Sequence, residues 1–323
     1  MAPIATWLAV LLAPVAAWSA PPGTQAVDEP PTLEPATGAD ERPAPALPVT
    51  EHEAPVLAAL EERPDADDIP LRASALHFPA EHGGSLVAMV ADLPAAGPSL
   101  RPTEAGDGTS AQDFTVLALV RDETGWIVHR ASRHYALSWP ESSLEDLQVG
   151  RTLFARETVL PSGRYSVEIA VRDAREGAMG VARLPLELSA ASDGQLRVSS
   201  LVIVGHTEPE SPSESSPLHY EGVRLYPNLG DPVSRGAGQP LPFFFTVRPG
   251  ARPLASATIE LLRDGETVVQ SPVTLPSPDP TGQMRVVSGL PIGELEPGDY
   301  ILRLSVNNAQ GIQTRSAPFT LAP

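Results

Sequence analysis

The sequence predicts an all-β protein: two tandem immunoglobulin-like or fibronectin III-like β-sandwiches behind a disordered N-terminal segment. Three observations carry that prediction. The first is a repeat. Leu160–Asp173 (LPSGRYSVEIAVRD) returns 135 residues later as Leu295–Asn308 (LEPGDYILRLSVNN). In each copy a glycine-containing turn delivers a tyrosine, and strict alternation follows. Tyr165, Val167, Ile169 and Val171 oppose Ser166, Glu168 and Arg172; Tyr300, Leu302, Leu304 and Val306 oppose Arg303 and Ser305. Period two over such a length marks a strand with one buried face. A tyrosine at its start suits the tyrosine corner of immunoglobulin-like sandwiches, where the hydroxyl bonds back to nearby backbone.

The second observation is that two more landmarks recur in the same order. Leu119-Val-Arg-Asp122 matches Leu261-Leu-Arg-Asp264, each before a glycine turn and a β-rich run. Leu184-Pro-Leu-Glu-Leu188 matches Ala317-Pro-Phe-Thr-Leu321 as closing strands, with proline where an edge tolerates a missing N–H. The third is composition. Thirty-seven Pro and 25 Gly fit many turns between short strands, and the absence of Cys removes disulfides, thiol catalysis and Cys-based zinc sites. All 22 basic residues are Arg against 40 acids, and a net charge of −18 argues against nucleic-acid binding, which needs a basic face.

Residues 1–20 are uncharged, with an apolar run from Ile4 to Ala17 that is too short, and too broken by Pro14, for a stable membrane span. They read as a signal peptide with Val15-Ala16-Ala17 as cleavage motif, although the leader lacks a basic n-region. Residues 21–68 are a Pro/Ala/acidic segment with twelve acids and two Arg. Such composition buries too little apolar surface to offset ordering entropy, so a disordered linker is expected, reaching up to ~150 Å if extended at ~3.1 Å per residue. Only Val56–Glu62 has the make-up of a short helix.

The first sandwich is expected over 69–190. Its strands are Leu71–Phe78, Leu86–Leu93, Phe114–Val120, Trp126–Val128 continuing through Arg133–Leu137, Arg151–Leu160, the Tyr165 strand and Gly180–Leu188. Pro94–Asp113 reads as a polar loop, and Ser142–Glu145 has capping-box spacing. The second sandwich is expected over 195–323. It comprises Arg197–Val204, Tyr220–Leu225, Pro242–Val247, the hairpin Thr258–Leu262 with Thr267–Gln270, Met284–Val287, the Tyr300 strand and Ala317–Leu321. Thr207–Pro217 reads as an acidic loop, and the Phe-Phe-Phe of Pro242–Val247 predicts burial on both faces.

No residue stands out as catalytic, cofactor-binding or metal-ligating, and no cofactor is expected. His129 with His134, and His77 with His82, are the histidine pairs worth weighing for a metal, which needs convergent imidazoles and usually a carboxylate. Five-residue spacing puts His129 and His134 on opposite faces of an unbroken strand. Asp264-Gly-Glu266 is an acidic turn without EF-hand spacing and reads as a solvated hairpin. No Gly-x-Ser-x-Gly elbow or phosphate-cradling glycine loop occurs. Trp126 and Trp139 are the candidates for stacking on sugars if exposed, against the commoner role of core packing.

Asp113–Asp122 (DFTVLALVRD), Leu225–Val233 (LYPNLGDPV) and Leu241–Val247 (LPFFFTV) resemble the C-terminal β-rich region of bacterial VWFA-related domain proteins. The resemblance covers roughly 70–323 and implies an exported protein with β-rich modules. The von Willebrand A domain itself is not part of it: the nearest string to its Asp-x-Ser-x-Ser loop, Asp107-Gly-Thr-Ser-Ala111, does not fit. Metal-dependent adhesion therefore transfers to no residue here.

The functional expectation is an exported, non-enzymatic interaction or scaffold protein, periplasmic, cell-surface or extracellular. Its partner would be a protein or cell surface, engaged through loops or a sheet edge. The alternative is a carbohydrate-binding or adhesion module, calcium-dependent or not. A third reading is an enzyme with its site at the domain junction, which predicts convergent perturbed histidines or carboxylates there.

Overall fold

The computed structural model describes residues 48–80, 84–94, 100–104, 108–140, 151–190, 194–209, 216–234, 239–251 and 254–323. The leader, most of the acidic segment, His82 and the Ser142–Glu145 motif lie outside them. The described chain is all-β, with four antiparallel sheets and a single helix among the described residues.

In the N-terminal half, β1 (Arg72–Pro79), β2 (Ser85–Pro94) and β6 (Arg151–Leu160) form one sheet in the order β1-β2-β6. The strands β3 (Thr103–Glu104), β4 (Thr109–Asp122), β5 (Ile127–Pro140), β7 (Gly163–Asp173) and β8 (Met179–Leu188) form the other, with β5 beside β4 in the run β5-β4-β7-β8. Val87, Met89, Ala91 and Phe154 of the first sheet meet Val116, Ala118, Val167, Ile169 and Val171 of the second in one buried core. The loop expected over Pro94–Asp113 is shorter than its polar text suggests. Leu100 is buried, Gln112 donates to its carbonyl at 2.7 Å, and β4 begins at Thr109.

The C-terminal half repeats the order. The strands β14 (Leu254–Arg263), β15 (Glu266–Val273), β17 (Gly298–Asn308) and β18 (Gly311–Leu321) run β15-β14-β17-β18. Facing them are β10 (Val202–Pro209), β13 (Pro240–Arg248) and β16 (Met284–Pro291), in the order β10-β13-β16. The short β9 (Arg197–Val198) also pairs with β13, and the hairpin of β11 (His219–Tyr220) and β12 (Val223–Pro227) extends that sheet past β10. Phe243, Phe245, Val286, Ile259, Leu302, Leu304 and Tyr300 fill the second core.

Both tyrosine corners form. Tyr165 Oη donates to the Pro161 carbonyl at 3.2 Å, and Tyr300 Oη to the Glu296 carbonyl at 2.7 Å. The closing strands match in register, with Tyr165 opposite Leu186 and Tyr300 opposite Phe319. The Leu-x-Arg-Asp match does not. Val120 pairs with Val167, two residues past its tyrosine, whereas the equivalent pair in the second half is Leu261 with Leu302. The strings are therefore offset by one residue, and because side chains alternate, Leu119 faces away from the core of its half, whereas Leu261 enters the core of its own.

Two further layers correct the expected organisation. Residues 48–68 are not a free spacer, since α1 (Glu53–Glu62) lies across the outer face of the β4–β7–β8 sheet. Val56, Leu60 and Ala66 bury against Leu117, Leu119, Ala170 and Met179 there. Thr50 and Glu53 form a reciprocal capping box, with Thr50 N–H to Glu53 Oε2 at 3.0 Å and Glu53 N–H to Thr50 Oγ1 at 3.2 Å. Composition averaged over 21–68 hides this, because the apolar residues that order the segment need a partner face distant in sequence.

The second addition joins the halves. Leu76, Phe78, Ala88 and Val90 on the outer face of the β1-β2-β6 sheet pack against Val202, Val204, Leu218, Leu225 and Phe244. Phe244 thus points opposite to Phe243 and Phe245, as the three-phenylalanine run requires when both faces are buried. Helix, sheet, sheet, sheet and sheet form one stack.

Candidate functional site

Among the described residues, the sequence candidates lead to two places in this stack: the junction between the halves, and the tip of the β4–β5 hairpin.

The strand expected over Arg197–Val204 breaks at Ser199–Leu201 to make the junction. Ser199 N–H bonds the Thr246 carbonyl at 3.0 Å, and Ser200 N–H bonds the His77 carbonyl at 2.9 Å. Ser200 Oγ accepts the His77 backbone N–H at 3.0 Å and lies 3.0 Å from His77 Nδ1. The His77 ring also bonds the main chain of Val198, whose carbonyl accepts Arg315 Nη2 at 2.9 Å. Burial, reinforced by the Arg315 charge, lowers the His77 pKa from 6.5 to about 4. Arg197 clamps the same edge, donating to the carbonyls of Ala80 at 2.6 Å and Gly84 at 3.3 Å. Arg72 is paired with Asp231, and Ser216 Oγ donates to Glu157 at 2.8 Å across the halves.

The Ser200–His77–Val198 chain has the connectivity of nucleophile, base and orienter. Its chemistry runs the other way, because a ring titrating near 4 is a weak base at neutral pH. The serine oxygen is already engaged by a backbone N–H. This arrangement serves to staple the halves together.

At the hairpin tip the fold pins a turn and leaves an aromatic ring outside it. Asp122 Oδ1 accepts from Thr124 N at 2.9 Å, Thr124 Oγ1 at 2.6 Å and Trp126 N at 3.0 Å. Those bonds, the Thr124 hydroxyl first, hold its carboxyl below the usual range. Arg121 Nη1 reaches the Gly125 carbonyl at 3.2 Å, and Gly125 takes the positive φ of 87° that the turn needs. Trp126 is 73% exposed, followed by the exposed Ile127 and Val128, with the Arg164–Glu123 pair alongside. Trp139 is the opposite case, 4% exposed.

The remaining sequence candidates separate. His129 and His134 do fall on opposite faces of the unbroken β5. His134 stacks on His52 with ring centroids 3.8 Å apart and lies 3.7 Å from Asp113, whereas His129 packs toward the core side, opposite Val120. Burial lowers the pKa of both rings. Among the described residues no three His, Asp or Glu side chains gather as a metal site. Asp264 and Gly265 form the two-residue turn of the β14–β15 hairpin with φ of 52° and 84°.

Glu168, expected on a solvent face, is buried and bonded by Arg121 at 2.8 Å and Arg183 at 3.0 Å. Burial pushes its carboxyl up, but the two guanidiniums outweigh that and hold it down. The junction has one partial signal in the sequence, the three-phenylalanine run that predicts burial on both faces, but no local pattern marks which face Phe244 meets in space. The docked helix has one, the Thr50-x-x-Glu53 spacing ahead of Val56 and Leu60.

Among the described residues, fold and sites define an all-β, multilayer arrangement with a stapled junction and a projecting aromatic tip. No family model matches it, and no curated protein matches it. Among solved structures it is similar to the C-terminal domain of the Streptococcus pyogenes antigen I/II-family protein AspA, at 8% identity over 77% of this chain and 99% of that one, with a TM-score of 0.23. It is similar to the C-terminal domain of the Streptococcus agalactiae AgI/II polypeptide BspA at 8% identity over the same shares, with a TM-score of 0.21. Values this low do not establish a shared fold.

Proposed function

We propose that this chain is an exported, non-enzymatic interaction or scaffold protein built of tandem immunoglobulin-like, fibronectin III-like sandwiches. In this reading it is related to the C-terminal region of bacterial VWFA-related domain proteins, and its site of recognition is the Trp126 tip. The strand orders β1-β2-β6 with β5-β4-β7-β8, and their repetition, support the sandwich assignment. The observation that carries the functional reading is the exposed Trp126-Ile127-Val128 run on a turn fixed by Asp122 and Arg121. A rigid aromatic loses little entropy on docking, which is why such residues dominate binding energy. The stapled junction holds this tip on a stiff stack rather than on a flexible string.

The test is retention of the whole chain on intact cells and envelope fractions, compared with Trp126→Ala. Retention that falls by about tenfold or more in the variant supports the reading. Equal retention by both proteins, or none above background, removes it. A second reading, a carbohydrate-binding module, is favoured by the same ring, since a flat exposed indole beside polar side chains suits sugar stacking. It loses Trp139, which is buried. Saturable binding to a glycan panel, absent in Trp126→Ala, would select it. The enzyme reading rests on the perturbed His77 at the junction, where the staple geometry argues against it.

A further inference from the structure

The open side of the N-terminal pair of sheets lies between β5 and β6, each the last strand of its sheet. Both strands place an arginine on the inner face there. Arg133 is opposite Val116, and Arg156 is opposite Met89, both core residues; directly opposed residues share a face. The Arg133 guanidinium lies over the Tyr135 ring, 4.9 Å from its centroid, and Arg156 lies 5.5 Å from the Phe154 centroid. Arg156 donates to the Ser132 carbonyl of β5 at 3.3 Å and to its neighbour's, Ala155, at 3.0 Å. The two cations are close enough that burial and then the charge of Arg133 both depress the Arg156 pKa.

Among the described residues neither guanidinium meets a carboxylate, in a chain with 40 acids and 22 arginines. Arg121, Arg183, Arg263 and Arg303 all do. Two like charges half-withdrawn from water repel each other and have lost part of their hydration, a cost that an anion between them offsets. Guanidinium forks also present paired N–H donors matched to the oxygens of carboxylate or phosphate. We propose that Arg133 and Arg156 form a binding site for an oxyanion, a carboxylate or a phosphate group, in the seam between β5 and β6. The site is independent of the Trp126 tip. The competing role for inward-pointing charges on edge strands is to block edge-to-edge pairing, and that role needs no ligand.

Side-chain Nε–Hε signals of Arg133 and Arg156 in the whole wild-type chain provide the test. Inorganic phosphate and N-acetyl-aspartate are titrated separately at constant ionic strength. The site predicts a saturable shift of both signals. The apparent affinity should weaken by about tenfold in Arg133→Gln and in Arg156→Gln. It should be unchanged in Arg164→Gln, whose side chain sits at the far hairpin. Saturation by phosphate alone identifies a phosphate ligand, and saturation by N-acetyl-aspartate an acidic side chain. The wild-type titration stands even if a variant fails to fold. Linear, non-saturating shifts with both probes, or saturation only at other arginines, overturn the proposal and leave the pair as an edge guard.

Discussion

Lowering the pH from 7 toward 4 should loosen the junction between the halves through one imidazole. His77 has a folded pKa of about 4 against 6.5 for a free ring, because burial and the nearby Arg315 charge outweigh the opposing effect of its bond to the Val198 main chain. Its folded value is depressed, so the stability it supports is intact above pH 6.5. Below that, the unfolded chain takes up a proton that the folded ring refuses, and stability falls until the folded pKa is reached. Every pH unit travelled below 6.5 costs about 1.4 kcal/mol, so the loss at pH 5 is about 2 kcal/mol. The direct assay is the titration of the His77 Cε1 proton by NMR, with an expected midpoint near 4. The linked assay is urea denaturation of the wild type and His77→Gln at pH 7.5 and pH 5. Wild type should lose about 2 kcal/mol more than the variant over that interval. His129, His134 and His206 are also depressed, but they are common to both proteins and cancel. A His77 midpoint near 6.5, or equal pH slopes for the two proteins, would refute the argument that burial and Arg315 keep this ring neutral.

Four other outcomes follow from packing and hydrogen bonding. Phe244→Ala removes a fully buried ring of the junction cluster and should cost about 3–5 kcal/mol, with small-angle scattering reporting a less rigid stack. Leu60→Ala should cost about 2–4 kcal/mol and raise hydrogen exchange over 50–68, because it undoes the seat of α1 on Leu117 and Leu119; unchanged exchange would count against a docked helix. Tyr300→Phe should cost about 0.5–1.5 kcal/mol through its bond to Glu296, and Tyr165→Phe less because its hydroxyl is more exposed, with binding preserved in both. Trp126→Ala should change stability by no more than about 0.5 kcal/mol, since the ring is outside the core, so any loss of binding would not be a folding defect.

Much of the architecture was legible because it is written locally. Alternation in Val167–Val171 and Leu302–Val306 fixes which face is buried, and the glycine turns before Tyr165 and Tyr300 fix where each strand starts. The short-string match Leu119–Asp122 with Leu261–Asp264 misled by one residue. The offset inverts the face each side chain takes, and only the pairing with β7 and β17 reveals it.

The sequence by itself determined the all-β class, the repeated strand plan and both tyrosine corners, since each depends on neighbours within a few residues. Tertiary structure decided three things. It gave α1 a place to dock, turned the outer face of the β1-β2-β6 sheet into a junction, and left Trp126 outside while burying Trp139. The physical reason is the same in each case. Burial is set by what lies across the gap from a side chain, and Val56 with Leu119, or Phe78 with Phe244, are partners that no local pattern connects.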